Sequence, residues 1–308
     1  MRAERADGTT YSPDGDPNSG SPEPVTDAIL TKRAQGGDGR ALGELIERIR
    51  DDVYRLALRM LWHPDDAADA TQEILLKIVT SLATFRGESS VRTWMLRVAT
   101  NHLLNVRRSR VEQRSLSFEA FAADLAEGLD HAGVELSAPR RDEADQAVLE
   151  AEVKIGCTQA MLLCLGRDER IAYILGDVFE LRSDEAAEVL GIDPAAYRKR
   201  LSRARNRIRE FMTTHCGLVN SEAPCSCARR VRPAIEQGRV SRDRLLFAGQ
   251  GSAPPRRLPV LEAVGAMERL HEMAAVHQSH PRFGAPRRVT EAIRDALRSA
   301  GVEFLLAD

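Results

Sequence analysis

The stretch Leu181 to Met212, LRSDEAAEVLGIDPAAYRKRLSRARNRIREFM, admits few folds. Ser183 reads as an N-cap, with acidic residues in the turn that follows. A short helix then runs to Leu190, and Gly191 breaks it. Asp193 caps a second helix and Pro194 occupies its first turn. Tyr197, Leu201, Ala204, Ile208 and Phe211 recur at three- and four-residue steps and make one apolar stripe. Two helices joined through a tight glycine turn form a helix-turn-helix. Between Pro194 and Met212 there are 7 Lys/Arg and one Glu, and the basic residues fall off the stripe. The N-terminal residues of such a second helix reach base edges in a major groove, and flanking arginines hold phosphates. Ala195, Ala196, Arg198 and Lys199 are assigned to the base-edge side, and Arg203, Arg205 and Arg207 to phosphates.

Aromatic residues make up only 5% of the 308, and alternating β-branched runs are scarce, so the expected class is all-α. A net charge of −2 points to no polyanionic partner, but its distribution does. From Gln113 to Val153 there are 10 Asp/Glu against 3 Lys/Arg, a sharp contrast with the basic helix. Residues 1–25, rich in Pro, Gly, Ser and Asp, read as a disordered tail without a hydrophobic signal segment. With no apolar run near ~20 residues, membrane insertion is not expected and the cytoplasm is the expected location. Helices are expected over Asp27–Gln35 and about Arg40 to Trp62, and from Pro64, with Ile74, Ile78 and Leu82 on one stripe. Another begins after the cap Ser90. The expected organisation is a first helical domain (26–113), an acidic linker (114–145) with a short helix near Phe118, a helix-turn-helix domain (146–213), and a partly helical, cysteine-containing extension (214–308). Helices at Val260 to His277 and Val289 to Ala300 are expected to fold back, on one of the two helical domains or on a partner, as a built-in regulator.

Three segments of the first domain, DATQEILLKI, FRGESSVRTW and RVATNHLLNVRRSR, occur in this order. Together they resemble the promoter-opening domain of bacterial extracytoplasmic-function (ECF) sigma factors, which pair it with a C-terminal helix-turn-helix. The resemblance implies a partner, core RNA polymerase, docked through its large-subunit clamp on Asp69, Gln72, Glu73 and Leu76. It also implies promoter DNA. The loop Phe85 to Ser90, with Arg86, Gly87, Glu88, Ser89 and Ser90, would capture an unpaired base of the −10 element. Arg92, Thr93, Asn101 and Asn105 would lie near the exposed side of the next helix, and Arg107, Arg108 and Arg110 would hold the backbone. The helix-turn-helix would then read the −35 element. Trp94 is expected in the core. An anti-sigma factor or the chain's own extension would supply regulation.

His215, Cys216, Cys225 and Cys227 place four soft ligands close together, a set that suits zinc or copper(I), although no cofactor is required. A redox thiol pair and plain exposed cysteines are the alternatives. Cys157 and Cys164 read as core residues, and His271, His277 and His280 as scattered surface histidines, with membership of a metal site as the alternative. The alternative function is a one-component helix-turn-helix regulator sensing metal or redox state through its tail. A repressor, however, has no use for FRGESSVRTW. No phosphate-binding loop, dinucleotide fingerprint, metalloprotease or nucleophile-elbow motif is present, so catalysis is not expected.

Overall fold

The computed structural model describes residues 26–106, 116–130, 143–241, 243–248, 273–278 and 280–299. Among these residues every regular element is helical, apart from one isolated bridge between Cys216 and Cys225. The expectations for residues 1–25, for Arg107, Arg108, Arg110 and His271, and for a helix over 260–272 lie outside the described residues.

The first domain is built on α2 (Gly39–Leu61), flanked by α1 (Asp27–Gln35), α3 (Pro64–Ser81) and α4 (Val91–Asn105). Asp38 starts α2 by accepting from the backbone N–H groups of Arg40 and Ala41, each at 3.0 Å. Its apolar face, including Leu45, Ile46, Ile49, Val53 and Leu56, is buried. At its end Trp62 takes a left-handed conformation, φ 69°. The Trp62 indole N–H donates to the Gly156 carbonyl at 3.2 Å.

The second domain comprises α6 (Glu143–Leu163), α7 (Arg167–Tyr173), which runs on into a π-helical turn at Ile174–Val178, α8 (Ser183–Leu190) and α9 (Pro194–His215). The N-cap of α8 is Arg182 without a side-chain cap, so Ser183 is the first helical residue rather than the cap. The arginine instead pairs with Asp184. Gly191 sits at φ 64°, as the turn requires. Asp193 accepts from Ala195 N–H at 2.7 Å, and all five stripe residues of α9 are buried.

Of the expected linker, residues 143–145 already belong to α6, and α5 (Phe118–Asp130) is docked rather than free. Phe121 stacks on Phe211 with ring centroids 5.3 Å apart. Asp124 receives the guanidinium groups of Arg230 and Arg239.

Arginine donors aimed at helix C-termini join the two domains. Arg170, 3% exposed, donates to the carbonyls of Leu162, Leu163 and Leu165 at the end of α6, and to Met60 near the end of α2. Arg167 donates to Leu103, Leu104 and Val106 at the end of α4. Helix ends leave carbonyls unpaired and carry partial negative charge, so a guanidinium satisfies both demands. One apolar core runs through both domains.

The extension wraps this core. α10 (Cys227–Glu236) packs on α6 and α5. Phe247 meets Trp62 edge-on at 5.6 Å, and the buried Glu152 carboxylate accepts the backbone N–H groups of Leu246, Phe247 and Ala248. α11 (Met273–Gln278) lies against the π turn, and α12 (Arg287–Ser299) against α3. Val289, Ile293 and Leu297 bury the inner face of α12. Each contributes at most about 1.5–3 kcal/mol. The half-exposed Arg288–Asp65 pair beside them adds under about 1 kcal/mol. Apolar burial therefore dominates the docking of α12.

Candidate nucleic-acid and polymerase interface

Three surfaces carry the expected site residues. On α9, Ala195, Ala196, Arg198, Lys199 and Arg203 are exposed on the side opposite the buried stripe. Arg205 and Arg207, expected as phosphate ligands, keep about half of their side chains exposed (49% and 47%) and also pair within the protein. Arg205 forms a two-pronged pair with the buried Asp177, with Nε 2.9 Å from Oδ2. This partner holds its pKa above the ordinary arginine value. Arg207 reaches Glu169 at 3.1 Å and lies 5.2 Å from the centre of the Phe118 ring. Both arginines therefore bridge elements of the second domain, Arg207 also toward α5, while half of each side chain still faces solvent.

The second surface is the loop before α4. Arg86, Gly87, Glu88 and Ser90 are exposed and Ser89 is half-buried. Gly87 has φ 76°, which a side chain would strain. The Ser90 hydroxyl caps α4, accepting from Thr93 N–H at 3.0 Å. Thr93, expected on the exposed side, is buried with its hydroxyl 2.7 Å from that of Ser90, because it occupies the inward side of the capped turn. Arg92 is drawn to Asp52 of α2 at 3.1 Å. Asn101 and Asn105 are exposed, and Trp94 packs half-buried on Phe85 with ring centroids 5.5 Å apart.

The third surface is α3. Asp69 and Glu73 are exposed and Gln72 and Leu76 half-buried. Between α3 and α4 opens a groove of about 600 Å³ lined by Lys77, Thr80, Asn101, His102 and Asn105, among others. Lys77 donates to His102 Nδ1 at 2.7 Å, and Glu73 lies 3.6 Å from Nε2. Burial, then the Lys77 charge, lowers the His102 pKa, outweighing Glu73. The shift favours the neutral ring, and the groove presents the Lys77 ammonium, the Glu73 carboxylate and the Asn101 and Asn105 amides to a ligand. Sequence reasoning missed Lys77, His102 and Arg97. Arg97 donates to the Glu188 carbonyl of α8 at 2.6 Å. The first two sit among residues that were singled out, so helical spacing alone could have found the groove; nothing local marks Arg97.

The tail residues do not form the expected quartet. His215 packs on the Phe211 ring, with centroids 4.9 Å apart. Cys216, Cys225 and Cys227 instead face Cys157 of α6, which was expected to be a plain core residue. Cys164 is buried in the core. His277 and His280, expected on the surface, are buried against Tyr173 and Thr158, because α11 and the segment after it cover α6. No described helix is long and apolar enough to cross a membrane.

Comparison with known proteins gives two family matches. Residues 45–113 match Sigma-70 region 2, and residues 155–208 match Sigma-70, region 4. The chain is 32% identical over 184 residues to the RNA polymerase sigma-H factor of Pseudomonas aeruginosa, covering 59% of this chain and 91% of that protein. It is 30% identical over 186 residues to the ECF RNA polymerase sigma-E factor of Haemophilus influenzae, covering 60% and 95% respectively. Among solved structures, CnrH in complex with the cytosolic domain of CnrY aligns at a TM-score of 0.42 and 22% identity, over 60% of this chain and 96% of that one.

Proposed function

The chain belongs to the ECF sigma factors of RNA polymerase, and from that premise we propose how its surfaces share the work. It binds core polymerase and directs promoter-specific initiation of transcription. The observation that carries this is the continuous likeness to sigma factors through both helical domains, over nearly their whole length. The protein works in the cytoplasm, by binding rather than catalysis.

In this reading Asp69, Gln72, Glu73 and Leu76 of α3 dock on the clamp of the polymerase large subunit. The loop around Gly87 takes an unpaired −10 base, and Asn101 and Asn105 line the path of the separated strand. Flipped or single-stranded bases are read through exposed edges and pockets, which a polar groove suits. Ala195, Ala196, Arg198 and Lys199 enter the major groove at −35, with Arg203 on a phosphate. The extension regulates this chain from within: α12 lies on α3, the same helix that carries the clamp face.

Run-off transcription with bacterial core polymerase on a genomic promoter library tests the function. Discrete start sites that appear only when the protein is added are expected. Binding to DNA without any dependence on core polymerase would instead make it a one-component regulator.

A further inference from the structure

Four of the chain's five cysteines come from three places and meet at one cavity. Cys157 projects from α6, Cys216 follows the last residue of α9, and Cys225 and Cys227 flank the start of α10. The crossing that brings them together is specific. Gly217 N–H donates to the Cys225 carbonyl at 2.9 Å, and Cys216 and Cys225 pair as a short parallel bridge. A Cβ at residue 217 would collide with that carbonyl, so the two segments cross only because residue 217 is glycine. Ser226 then caps α10 by accepting from Arg229 N–H, which sets Cys227 on the first helical turn against α6.

The enclosed space measures about 90 Å³. That is far below the roughly 300 Å³ at which pockets for organic ligands begin, and ample for one ion. Apart from the thiols its walls are largely apolar, among them Val153, Met161 and Leu218. Lys154 also lines it, and among the described residues its ammonium forms no ion pair. No cysteine is in a disulfide.

We propose that Cys157, Cys216, Cys225 and Cys227 form a tetrathiolate site for a soft divalent cation of the zinc class. Thiolates are the ligands such an ion prefers, and four of them close a structural site. Four thiolates around a divalent ion carry a net charge of −2, which the unpaired Lys154 ammonium partly offsets. Among the described residues no three ligating groups stand close enough to hold an ion as placed, so binding requires the thiols to turn inward from the cavity wall. Three of the four ride on the short 216–227 segment, whose closure costs little. Each thiol gives up a proton to solvent as it binds. His215 is outside this set, held on Phe211. The neighbour of Cys157, Gly156, accepts the Trp62 indole N–H, so the ion would also brace the joint between the domains. This inference stands apart from the sigma-factor reading.

The test uses the full chain, purified in reducing buffer, stripped with a chelator and titrated with Co(II), then back-titrated with Zn(II). One equivalent should bind, with tetrahedral visible bands and a thiolate-to-cobalt charge-transfer band that Zn(II) abolishes. Cys157→Ser should remove one thiolate's share of that band and weaken binding by more than the roughly tenfold that losing a supporting residue costs. Cys227→Ser should do the same, while His215→Ala leaves spectrum and affinity unchanged. Thermal melts of each stripped variant report whether it folds. No cobalt binding by the wild-type chain overturns the proposal, as does a spectrum insensitive to Cys157→Ser. A disulfide among these cysteines in protein prepared without reductant, with no metal bound, would overturn it in favour of a redox pair.

Discussion

At the scale of single residues, arginines a few positions apart on α9 have different jobs. Arg205 neutralises Asp177, whose side chain is 7% exposed, while Arg198 has no ion pair among the described residues. Arg205→Ala would strand a buried carboxylate and should cost about 1–3 kcal/mol of stability, read from denaturant melts. Arg198→Ala should leave stability within about 0.5 kcal/mol of wild type. It should remove about 1–3 kcal/mol of discrimination at one −35 position, measured by binding to a set of single-base variants. Equal stability for the two variants would mean that the Asp177 pair does not hold in solution. At Glu73, charge reversal to Lys should weaken core binding several-fold by co-purification while α3 survives by circular dichroism. Unchanged affinity would remove α3 from the clamp contact.

At the scale of elements, the segment around α11 is attached through a pH-sensitive seat. His280 is buried, with Nε2 2.7 Å from the Thr158 hydroxyl. Burial pushes its pKa well below the ordinary histidine value, and His277 of α11, Arg59 of α2 and Lys154 of α6 push the same way. The unfolded segment therefore takes up a proton that the docked one refuses. The docking free energy is full above the unfolded pKa of about 6.5 and declines as pH falls below it toward the folded value. Hydrogen exchange over residues 273–299 should accelerate between pH 7.5 and about 5.5, after correction for intrinsic rates. His280→Gln should flatten that dependence. Acid-independent protection in the wild type would show that the seat does not titrate.

At the scale of the whole molecule, the two helical domains pack against one another. Arg97 ties α4 to α8, Arg167 and Arg170 tie α7 to the ends of α4 and α2, and α12 rests on α3. Promoter elements lie far apart along DNA, so a chain that reads both must part these contacts or bend its target. Removing residues 249–308 takes away α11 and α12 and the apolar burial along Val289, Ile293 and Leu297. Affinity for core polymerase should then rise several-fold in a fluorescence titration, because differential affinity for the closed and open states sets the balance. Equal or weaker binding by the shortened chain would mean that the extension does not hold the closed state against polymerase.

What the sequence determined by itself is what depends on neighbours a few positions away. Helical periodicity placed the buried stripe of α9, and Asp193, Pro194 and Gly191 set the bounds of the turn because capping and left-handed backbone are local demands. The motif order of the first domain identified the family for the same reason: it is written along one contiguous stretch. Tertiary structure alone decided which polar groups are spent. Nothing in the local pattern separates Arg205 from Arg203, since the difference is an Asp177 carried on another element. Thr93 and Arg92 looked alike as exposed helix residues, yet one is buried in the cap and the other paired with α2. Cys157 read as core because a thiol packs as a small apolar group. Only the crossing of α9, α10 and α6 set it opposite three cysteines 59 to 70 residues further along the chain, a convergence that no local period encodes.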